Sequence, residues 1–506
     1  MSDAATGRPS PRVSSSSVTS PSPERILLAD VLVDLPGAEV RGDVRVPVAE
    51  VAHRASDVVP SGLFFCVPGS RVDGHDFAAD AAAAGAAVLI VERWLPVEGP
   101  TQVLVRSVRE AMGPIAAAFF GTPADRMTMV GVTGTNGKTT TTYLMESVFS
   151  AAGVAPGLIG TTGARIDGEP VPFSRTTPEA PDLHRLLAQM AARGVRAVAM
   201  EVSSHGLDQF RVGGVRYRCA VFTNLTQDHL DYHSSMEEYF AAKARLFAPA
   251  MADVAVVNID SAEGRRLLTT GLPTVSYGLE READVRAVDV ETTDRGLAFR
   301  IGDVEVRSRL RGLFNVYNCL ATVATARSLD IEDAVTVRGI ADLVGVPGRV
   351  EPVEEGQEFL VMVDYAHTPD SMENVLQAAR PLAAGRLIVV FGCGGDRDRG
   401  KRPLMGKAAT SLADLSVITS DNPRSEDPLA IIADIEPGAK EGGGEYRIEP
   451  DRRTAIRAAV RGARVGDVVV IAGKGHESGQ EFLDHVVPFD DRTVAGEELR
   501  AMMGER

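Results

Sequence analysis

Short hydrophobic runs alternate with amphipathic helical stretches along most of this chain. The clearest runs lie at residues 127–132, 195–202, 219–225, 253–258, 360–364, 387–391, 415–419 and 468–471. Strands that alternate with helices in this way predict an α/β fold with a mainly parallel central sheet, covered by helices on both faces. Because open α/β sheets bind ligands beyond the carboxyl ends of their strands, the loops that follow these runs are the first places to look for chemistry.

Two breaks in this pattern, near residues 121–123 and 345–348, divide the chain into candidate domains. Its 506 residues are typical of three domains, at roughly 100–200 residues each. We therefore predict a first domain over residues 24–125, a central domain over 126–345 and a C-terminal, Rossmann-like α/β domain over 346–506.

Composition and charge narrow the class of protein. The chain has 53 basic and 69 acidic residues, and its net charge of −16 argues against a nucleic-acid partner. The longest apolar run, residues 81–91, is too short to cross a bilayer, so we expect no membrane insertion. Residues 1–23 are rich in Ser, Pro and Thr and have no signal-peptide core, which predicts a disordered tail.

The four cysteines are far apart and form no CxxC pair; they are Cys66, Cys219, Cys319 and Cys393. This spacing favours buried thiols in a reducing compartment. We expect a cytoplasmic protein that acts on small molecules, as a monomer.

The run at 127–132 leads directly into a glycine-rich turn and a helix-like segment from residue 138. Strand, glycine turn and helix together form a phosphate cradle, in which Lys138 reaches the terminal phosphates and the Thr139 hydroxyl can bind Mg²⁺. Val132 stands where the strict GxxxxGK[ST] pattern has glycine. We predict ATP binding by the residues Gly134, Thr135, Asn136, Gly137, Lys138, Thr139 and Thr140; a structural turn that binds no nucleotide is the alternative.

Three further residues lie in strand-end loops or on a nearby helix. Glu201 ends one strand and is as well suited to binding Mg²⁺ as to lying in solvent. His229 lies between two aspartates at the end of the next strand, where it could bind a metal or phosphate. From helix propensity alone, Lys243 is a solvated residue.

Taken together, these motifs and the segment Ala242-Lys243-Ala244-Arg245-Leu246-Phe247 resemble the ATP-dependent Mur ligase family. The resemblance runs from about residue 25 to the C-terminus and implies a UDP-substrate-binding, a central ATP-binding and a C-terminal amino-acid-binding domain. It also implies two Mg²⁺ ions, one held by Thr139 and Glu201 and one by His229 and a carbamate that CO₂ forms on Lys243. Lys138, His229 and Lys243 would then be the catalytic residues, and the family's nucleotide contacts would be Asn315, Asn318, Arg349 and Asp364.

Three loops of the C-terminal domain carry arginines and acids suited to recognising a carboxylate. Asp421-Asn422-Pro423-Arg424 resembles the selectivity motif of family members that add diaminopimelate to UDP-N-acetylmuramoyl-L-alanyl-D-glutamate through an acyl phosphate. Arg424 would pair with the second carboxylate, which lysine lacks. By the same resemblance, the amino-acid pocket consists of Arg397, Asp421, Asn422, Pro423, Arg424, Gly473 and Glu477.

The resemblance assigns the UDP-muramoyl-dipeptide to Ser70, Arg71, Val72, Thr176, Thr177, Ser203, Gln209 and Arg211. Two positions depart from the family pattern. Ala55 replaces a serine that contacts the uridine end, and Arg175 replaces an asparagine of some relatives. A lysine-adding or folylpolyglutamate-type ligase is the alternative within the family, and a non-catalytic nucleotide-binding protein is the alternative outside it.

Overall fold

The computed structural model describes residues 26–32, 35, 37–69, 72–171, 173, 175–293 and 295–505. The predicted disordered tail, residues 1–23, lies outside this part of the chain. The chain divides into two compact units, Met1–Val108 and Arg109–Arg506. None of the described helices is both long and apolar enough to cross a membrane.

The first unit contains a five-stranded sheet with short helices. Its elements are α1 (Leu28–Val31), β1 (Glu39–Arg41), β2 (Val51–Ala52), β3 (Leu63–Phe65), α2 (Ala78–Ala83), β4 (Val88–Val91) and β5 (Thr101–Leu104). The strand order is β1-β5-β4-β3-β2, and only β1 pairs antiparallel among the described strands of this sheet. Phe64 and Leu89 pack with Ala81 of α2 in its core.

The second unit begins with a nine-stranded sheet and its helices. The elements are α3 (Val108–Phe119), β6 (Thr128–Thr133), α4 (Lys138–Ala151), β7 (Pro156–Gly160), β8 (Gly163–Ile166), β9 (Glu169–Val171), α5 (Ala180–Ala192), β10 (Ala197–Glu201), α6 (Ser204–Asp208), β11 (Tyr217–Phe222), α7 (Met236–Ala244), β12 (Ala252–Asn258), α8 (Ala262–Arg266), β13 (Thr274–Gly278) and β14 (Val285–Arg286). The strand order is β14-β13-β12-β11-β6-β10-β7-β8-β9. All neighbours from β14 to β7 are parallel, and β8 and β9 extend the sheet as an antiparallel edge.

A small antiparallel sheet and two helices follow: β15 (Val288–Thr293), β16 (Gly296–Ile301), β17 (Val304–Ser308), α9 (Leu313–Ser328) and α10 (Asp333–Asp342). Alternation along β6 shows how the large sheet is covered. Val130 and Val132 belong to the core built with α4, α9 and α10, whereas Met129 belongs to the core built with α5 and α7. The period of two therefore buries both faces of the strand.

The last elements form a six-stranded sheet with helices, and a hairpin. They are β18 (Glu351–Pro352), β19 (Leu360–Asp364), α11 (Pro369–Ala379), β20 (Leu387–Phe391), α12 (Lys401–Leu412), β21 (Leu415–Ile418), α13 (Pro428–Gly442), β22 (Glu445–Ile448), α14 (Arg452–Gly462), β23 (Val468–Ala472), β24 (Gly479–Glu481), β25 (Val486–Pro488) and α15 (Asp491–Gly504). The order is β18-β19-β23-β20-β21-β22, parallel except at β18. The carboxyl ends of β20, β21 and β23 therefore lie along one edge.

The predicted α/β class with mainly parallel sheets is confirmed. The predicted helix from residue 138 and the strands at 360–364 and 387–391 have the bounds of α4, β19 and β20. The strand predicted at 195–202 is shorter at both ends, because residues 195 and 196 connect a turn at 193–194 to the strand, and residue 202 belongs to the loop after Glu201. All four cysteines are buried and unpaired. The domain boundaries near residues 125 and 345 stay a prediction.

Candidate active site

The loop between β6 and α4 has the backbone of a phosphate cradle. Gly134 and Gly137 have φ of +147° and +87°, in the region that favours glycine. A β-carbon at Gly134 would lie 1.9 Å from Thr223 Oγ1, and one at Gly137 would lie 2.4 Å from Asn318 Oδ1. Both positions therefore need glycine, and the helix that follows offers its first N–H groups to an anion.

Contacts with the strand-end loop after β11 hold the cradle in place. The backbone N–H of Thr135 donates to the Asn224 carbonyl at 3.0 Å, and that of Asn136 donates to Asn224 Oδ1 at 2.9 Å. The ammonium of Lys138 donates to the carbonyls of Gly134 and Thr135, at 3.0 and 2.8 Å. Burial lowers the pKa of Lys138. The lysine is thus held against its own loop, at the position where phosphates would be bound.

A cavity of about 810 Å³ opens on one side of the cradle. Among the predicted nucleotide residues, those that line it are Asn136, Gly137, Thr139, Thr140, Asn318, Arg349 and Asp364. Asn315 is not in this lining; Asn318 Nδ2 donates to its Oδ1 at 2.8 Å, so Asn315 orients Asn318 from behind. Leu313 and Phe314 add an apolar wall suited to a base.

Arg349 and Asp364 bring the C-terminal sheet to this cavity. Arg349 Nη2 donates to Thr139 Oγ1 at 3.1 Å, and its guanidinium lies 4.7 Å from the centre of the Tyr365 ring. The Asp364 carboxylate accepts from the backbone N–H of Val350 at 2.8 Å. Burial raises the pKa of Asp364, and nearby Arg349 opposes the shift.

A second cavity, of about 380 Å³, lies on the other side of the cradle and shares Thr139 with the first. The structure brings the predicted phosphate, metal and dipeptide residues together in its lining: Lys138, Thr139, Thr176, Thr177, Glu201, Ser203, Arg211, His229 and Lys243. These residues come from six separate segments of the second unit. Their convergence is what a transfer reaction between bound groups requires.

Glu201, at the end of β10, is fully buried. One carboxylate oxygen accepts from the backbone N–H of Thr161 at 2.9 Å, and the other accepts from the Thr161 hydroxyl at 3.0 Å. Gly160 leaves the room for this carboxylate, because a β-carbon there would lie 2.3 Å from Glu201 Oε1. The alternative prediction for Glu201, a loop acid that lies in solvent, is therefore wrong.

Lys243 lies on α7 with only 1% of its surface exposed. Its ammonium donates to the Gly134 carbonyl at 2.7 Å and lies 4.4 Å from the centre of the Tyr239 ring. Burial and the charge of Lys138 hold its pKa well below the usual value, with Asp228 opposing. The prediction from helix propensity that Lys243 lies in solvent is wrong, because tertiary packing encloses this turn of the helix.

His229 has a φ of +55°, an uncommon backbone conformation for a residue other than glycine. Its Nε2 lies 3.3 Å from Asp228 Oδ2, and its ring lies 4.9 Å from that of His205. Burial holds the pKa of His229 well below its usual range, so the imidazole is neutral and able to donate an electron pair. Within the described chain, no group of three or more His, Cys, Asp or Glu side chains could hold a metal ion by itself.

The predicted dipeptide residues are only partly brought together. The Arg211 Nη1 donates to the Thr177 carbonyl at 3.1 Å, and the Thr177 hydroxyl accepts from the backbone N–H of Ser203 at 3.0 Å. Gln209 does not line the cavity; it accepts from Arg211 Nη2 at 2.6 Å. Arg175, the family departure, does line it and pairs with the buried Glu179 at 2.7 Å.

Few of the residues predicted to contact the uridine end can be assessed in the structure of the first unit. Ser70 and Arg71 lie outside the described residues, and Val72 is exposed. Ala55 packs against the core of that unit. The uridine contacts stay a prediction.

The amino-acid loops meet at the carboxyl edge of the C-terminal sheet. Asn422 Nδ2 donates to Glu477 Oε2 at 2.8 Å, and a β-carbon on Gly473 would lie 2.4 Å from Asp421 Oδ2. Pro423 is buried in the same loop. Arg397 is exposed and donates to the carbonyl of Asp396 at 2.9 Å. Within the part of the chain that the structure describes, no hydrogen bond joins its guanidinium to the other predicted pocket residues.

Two residues of this region were missed by the sequence analysis. Lys474 is fully buried, and its ammonium donates to Asn422 Oδ1 at 2.8 Å and to Glu477 Oε2 at 3.2 Å. Arg452 forms a fully buried ion pair with Asp491 at 2.6 Å and also donates to backbone carbonyls of the two loops. The position of Lys474 between Gly473 and Glu477, in a loop already assigned to the pocket, could have identified it. Nothing in the local sequence around Arg452 indicates its role.

Comparison with known proteins identifies the family. The family model described as Mur ligase middle domain matches residues 132–326, and that described as Mur ligase, glutamate ligase domain matches residues 348–475. A third, described as Mur ligase family, catalytic domain, matches residues 47–120.

Relatives of nearly the same length carry the name UDP-N-acetylmuramoyl-L-alanyl-D-glutamate--2,6-diaminopimelate ligase. One from Geobacillus thermodenitrificans is 48% identical over 491 residues, which cover 95% of this chain and 99% of the relative. Another, from Solibacter usitatus, is 47% identical over 90% of this chain and 94% of the relative.

Solved structures agree on the fold. A structure with the same ligase name is 32% identical, has a TM-score of 0.66, and is matched over 95% of this chain and 99% of its own. A Mycobacterium tuberculosis folylpolyglutamate synthase, at 17% identity and a TM-score of 0.60 over 78% of this chain and 95% of its own, shares the fold. The chain therefore belongs to the Mur ligase family, whose members are ATP-dependent ligases.

Proposed function

We propose that this chain uses ATP to join diaminopimelate to UDP-N-acetylmuramoyl-L-alanyl-D-glutamate, a cytoplasmic step in the synthesis of the peptidoglycan precursor. The choice of diaminopimelate as the amino acid rests on the position of Arg424 in the amino-acid loops. Arg424 lies in the loop after β21, next to the Asn422–Glu477 pair. The length and identity of the relatives with this name agree with the choice.

The reaction has two chemical steps. The D-glutamyl side-chain carboxylate attacks the γ-phosphorus of ATP, and the bond to the β,γ-bridging oxygen breaks, so that an acyl phosphate and ADP form. The amine of diaminopimelate then attacks the acyl carbon, and the tetrahedral adduct expels phosphate and loses a proton to leave an amide. Phosphoryl transfer of this kind depends mainly on positioning and charge.

The residues of the second cavity support the first step. Lys138 is within reach of the phosphates once it leaves the two loop carbonyls that it now contacts. Arg349, already bonded to Thr139, adds a second cation between the two cavities. Thr176, Thr177, Ser203 and Arg211 offer hydroxyl and guanidinium donors to the anionic dipeptide.

The donors also fit the implied Mg²⁺ ions. Thr139 and Glu201 would hold one, and His229 and Lys243 the other, the lysine as its carbamate. Burial supports both assignments: it lowers the pKa of His229, which favours a neutral imidazole, and burial with the charge of Lys138 lowers the pKa of Lys243, which favours the free amine that can combine with CO₂ and release a proton. When bound, Mg²⁺ would offset the charge that develops on the transferring phosphoryl group.

The test is phosphate release with each substrate omitted in turn. Release should require ATP, the UDP-muramoyl-dipeptide and diaminopimelate together, and a panel with the LL and meso isomers should identify the one used. Phosphate release from ATP alone, at the full rate, would indicate an ATPase that does not ligate, and ATP binding without phosphate release under any of these conditions would favour the non-catalytic nucleotide-binding alternative.

A further inference from the structure

We propose that Glu481 is a specificity-positioning residue, which orients the guanidinium of Arg424 toward the second carboxylate of the amino-acid substrate. This inference rests on the proposed function, in which Arg424 binds that carboxylate. Glu481 lies at the end of β24, in the hairpin of β24 and β25. The amino-acid loops of the sequence analysis do not include it.

Three hydrogen bonds that do not involve the Glu481 side chain join the hairpin to the Asp421–Arg424 loop. The backbone N–H of Arg424 donates to the Glu481 carbonyl at 3.0 Å, and the backbone N–H of Glu481 donates to Asn422 Oδ1 at 3.0 Å. Gln480 Nε2 donates to the Asp421 carbonyl at 2.7 Å. Because these bonds use groups other than the Glu481 side chain, a change at that side chain leaves the junction in place.

The guanidinium of Arg424 is held on two sides. Its Nε donates to Glu481 Oε2 at 2.8 Å, and its Nη1 donates to the Gly395 carbonyl at 2.8 Å. A β-carbon on Gly394 would lie 2.9 Å from Nη1, so this glycine lets the guanidinium lie close to the backbone. Within the described chain, Nη2 has no hydrogen-bond partner.

This arrangement leaves one edge of the guanidinium for a ligand. Glu481 occupies Nε, so a carboxylate can be bound end-on by one N–H of Nη1 and one of Nη2, the paired geometry that arginine offers to carboxylates. Arg424 also has a φ of +53°, an uncommon conformation that the junction with the hairpin maintains. Without the contact at Nε, the side chain can rotate away from this orientation.

The side chains of Arg424 and Glu481 are partly exposed, so Glu481 can be substituted without disturbing the protein core. Arg424 is 23% exposed and Glu481 48% exposed, so substitutions at Glu481 leave no buried charge behind. Glu445 is a matched control, because it also forms an exposed ion pair with an arginine, Arg447, on β22 at the edge of the six-stranded sheet.

The experiment measures KM for diaminopimelate, lysine and ATP in the full-length protein. Glu481→Ala should raise KM for diaminopimelate about tenfold, the scale of one hydrogen bond to a charged group, and leave the other two within about twofold. Glu481→Gln keeps an acceptor for Nε and should restore most of the affinity, whereas Glu445→Ala should match wild type. In an Arg424→Ala background, Glu481→Ala should add nothing.

Three results would overturn the positioning role. One is an unchanged KM for diaminopimelate in Glu481→Ala. Another is a lower KM in both Glu481→Ala and Glu481→Gln, which would make the acid a competing counter-ion. The third is an equal loss for lysine and diaminopimelate. If Arg424→Ala itself had no effect on the KM for diaminopimelate, the proposed function would fail instead, so the two failures are distinguishable.

Discussion

The phosphate region and the amino-acid region of this protein are built in different ways. Around the cradle, Glu201 and Lys243 are buried almost completely, and their positions are fixed by a helix, a strand end and backbone contacts. In the amino-acid region, Lys474 is equally buried, but both predicted carboxylate-binding arginines are less enclosed: Arg397 is exposed and Arg424 is partly exposed on a loop. Buried charges in fixed positions suit the chemistry common to a family, whereas long side chains on loops suit a choice among substrates.

This difference predicts that changes near the cradle should reduce turnover, and that changes in the amino-acid loops should alter KM or substrate preference.

Lys138→Ala should have the largest effect. It removes the cation nearest the transferring phosphoryl group, and we expect turnover to fall by roughly 10³-fold or more. Phosphate release and thermal unfolding measure activity and fold separately. Lys440→Ala, which removes an exposed lysine paired with Glu436, is the control. A folded Lys138→Ala with near-normal turnover would contradict the cradle assignment.

Lys243 should be nearly as sensitive. We expect both Lys243→Ala and Lys243→Arg to lower turnover by on the order of 10²-fold or more, because neither side chain can form a carbamate. The mass of the intact wild-type protein should show a labile CO₂ adduct that both variants lack. Wild-type rates in Lys243→Arg would mean that the lysine acts only as a cation.

Lys474→Met should act on binding rather than turnover. The buried ammonium joins Asn422 to Glu477, and its loss should raise KM for diaminopimelate by about 10- to 100-fold. The KM for ATP should change little. An equal rise in both constants would show that the lysine supports the whole domain and not the amino-acid pocket.

The smallest effect is expected at Asp370. Its carboxylate accepts from Asn136 Nδ2 at 2.6 Å and so links α11 to the phosphate cradle. Asp370→Ala should raise KM for ATP by a few-fold, about the effect of one hydrogen bond. If KM for diaminopimelate rose more than KM for ATP, this link would not belong to the nucleotide site.

Much of the fold was predictable because its strands are short apolar runs between helices with clear periodicity. α4, for example, begins at Lys138 because glycines precede it, and that signal is local. That Thr139 and Glu201 lie at one site was predictable because parallel strands end at one edge of the sheet, whereas the place of Lys243 in the same cavity was predictable only through family resemblance.

Other features had no local signal. Helix propensity places Lys243 in solvent, but packing of α7 against the cradle buries it. The pairing of Glu481 with Arg424 depends on a hairpin that returns to a loop 57 residues earlier in the chain. Contacts of that kind come from the tertiary structure, and a single sequence does not show them.

The most direct test of the central claim compares diaminopimelate with lysine in wild type and Arg424→Ala. Wild type should prefer diaminopimelate by roughly 10⁴-fold in kcat/KM, because lysine leaves a polar site unpaired. Arg424→Ala should remove most of that preference, at a cost of about 2–5 kcal/mol, and leave KM for ATP nearly unchanged. Equal use of lysine by wild type, or an unchanged ratio in Arg424→Ala, would contradict the assignment of diaminopimelate as the substrate.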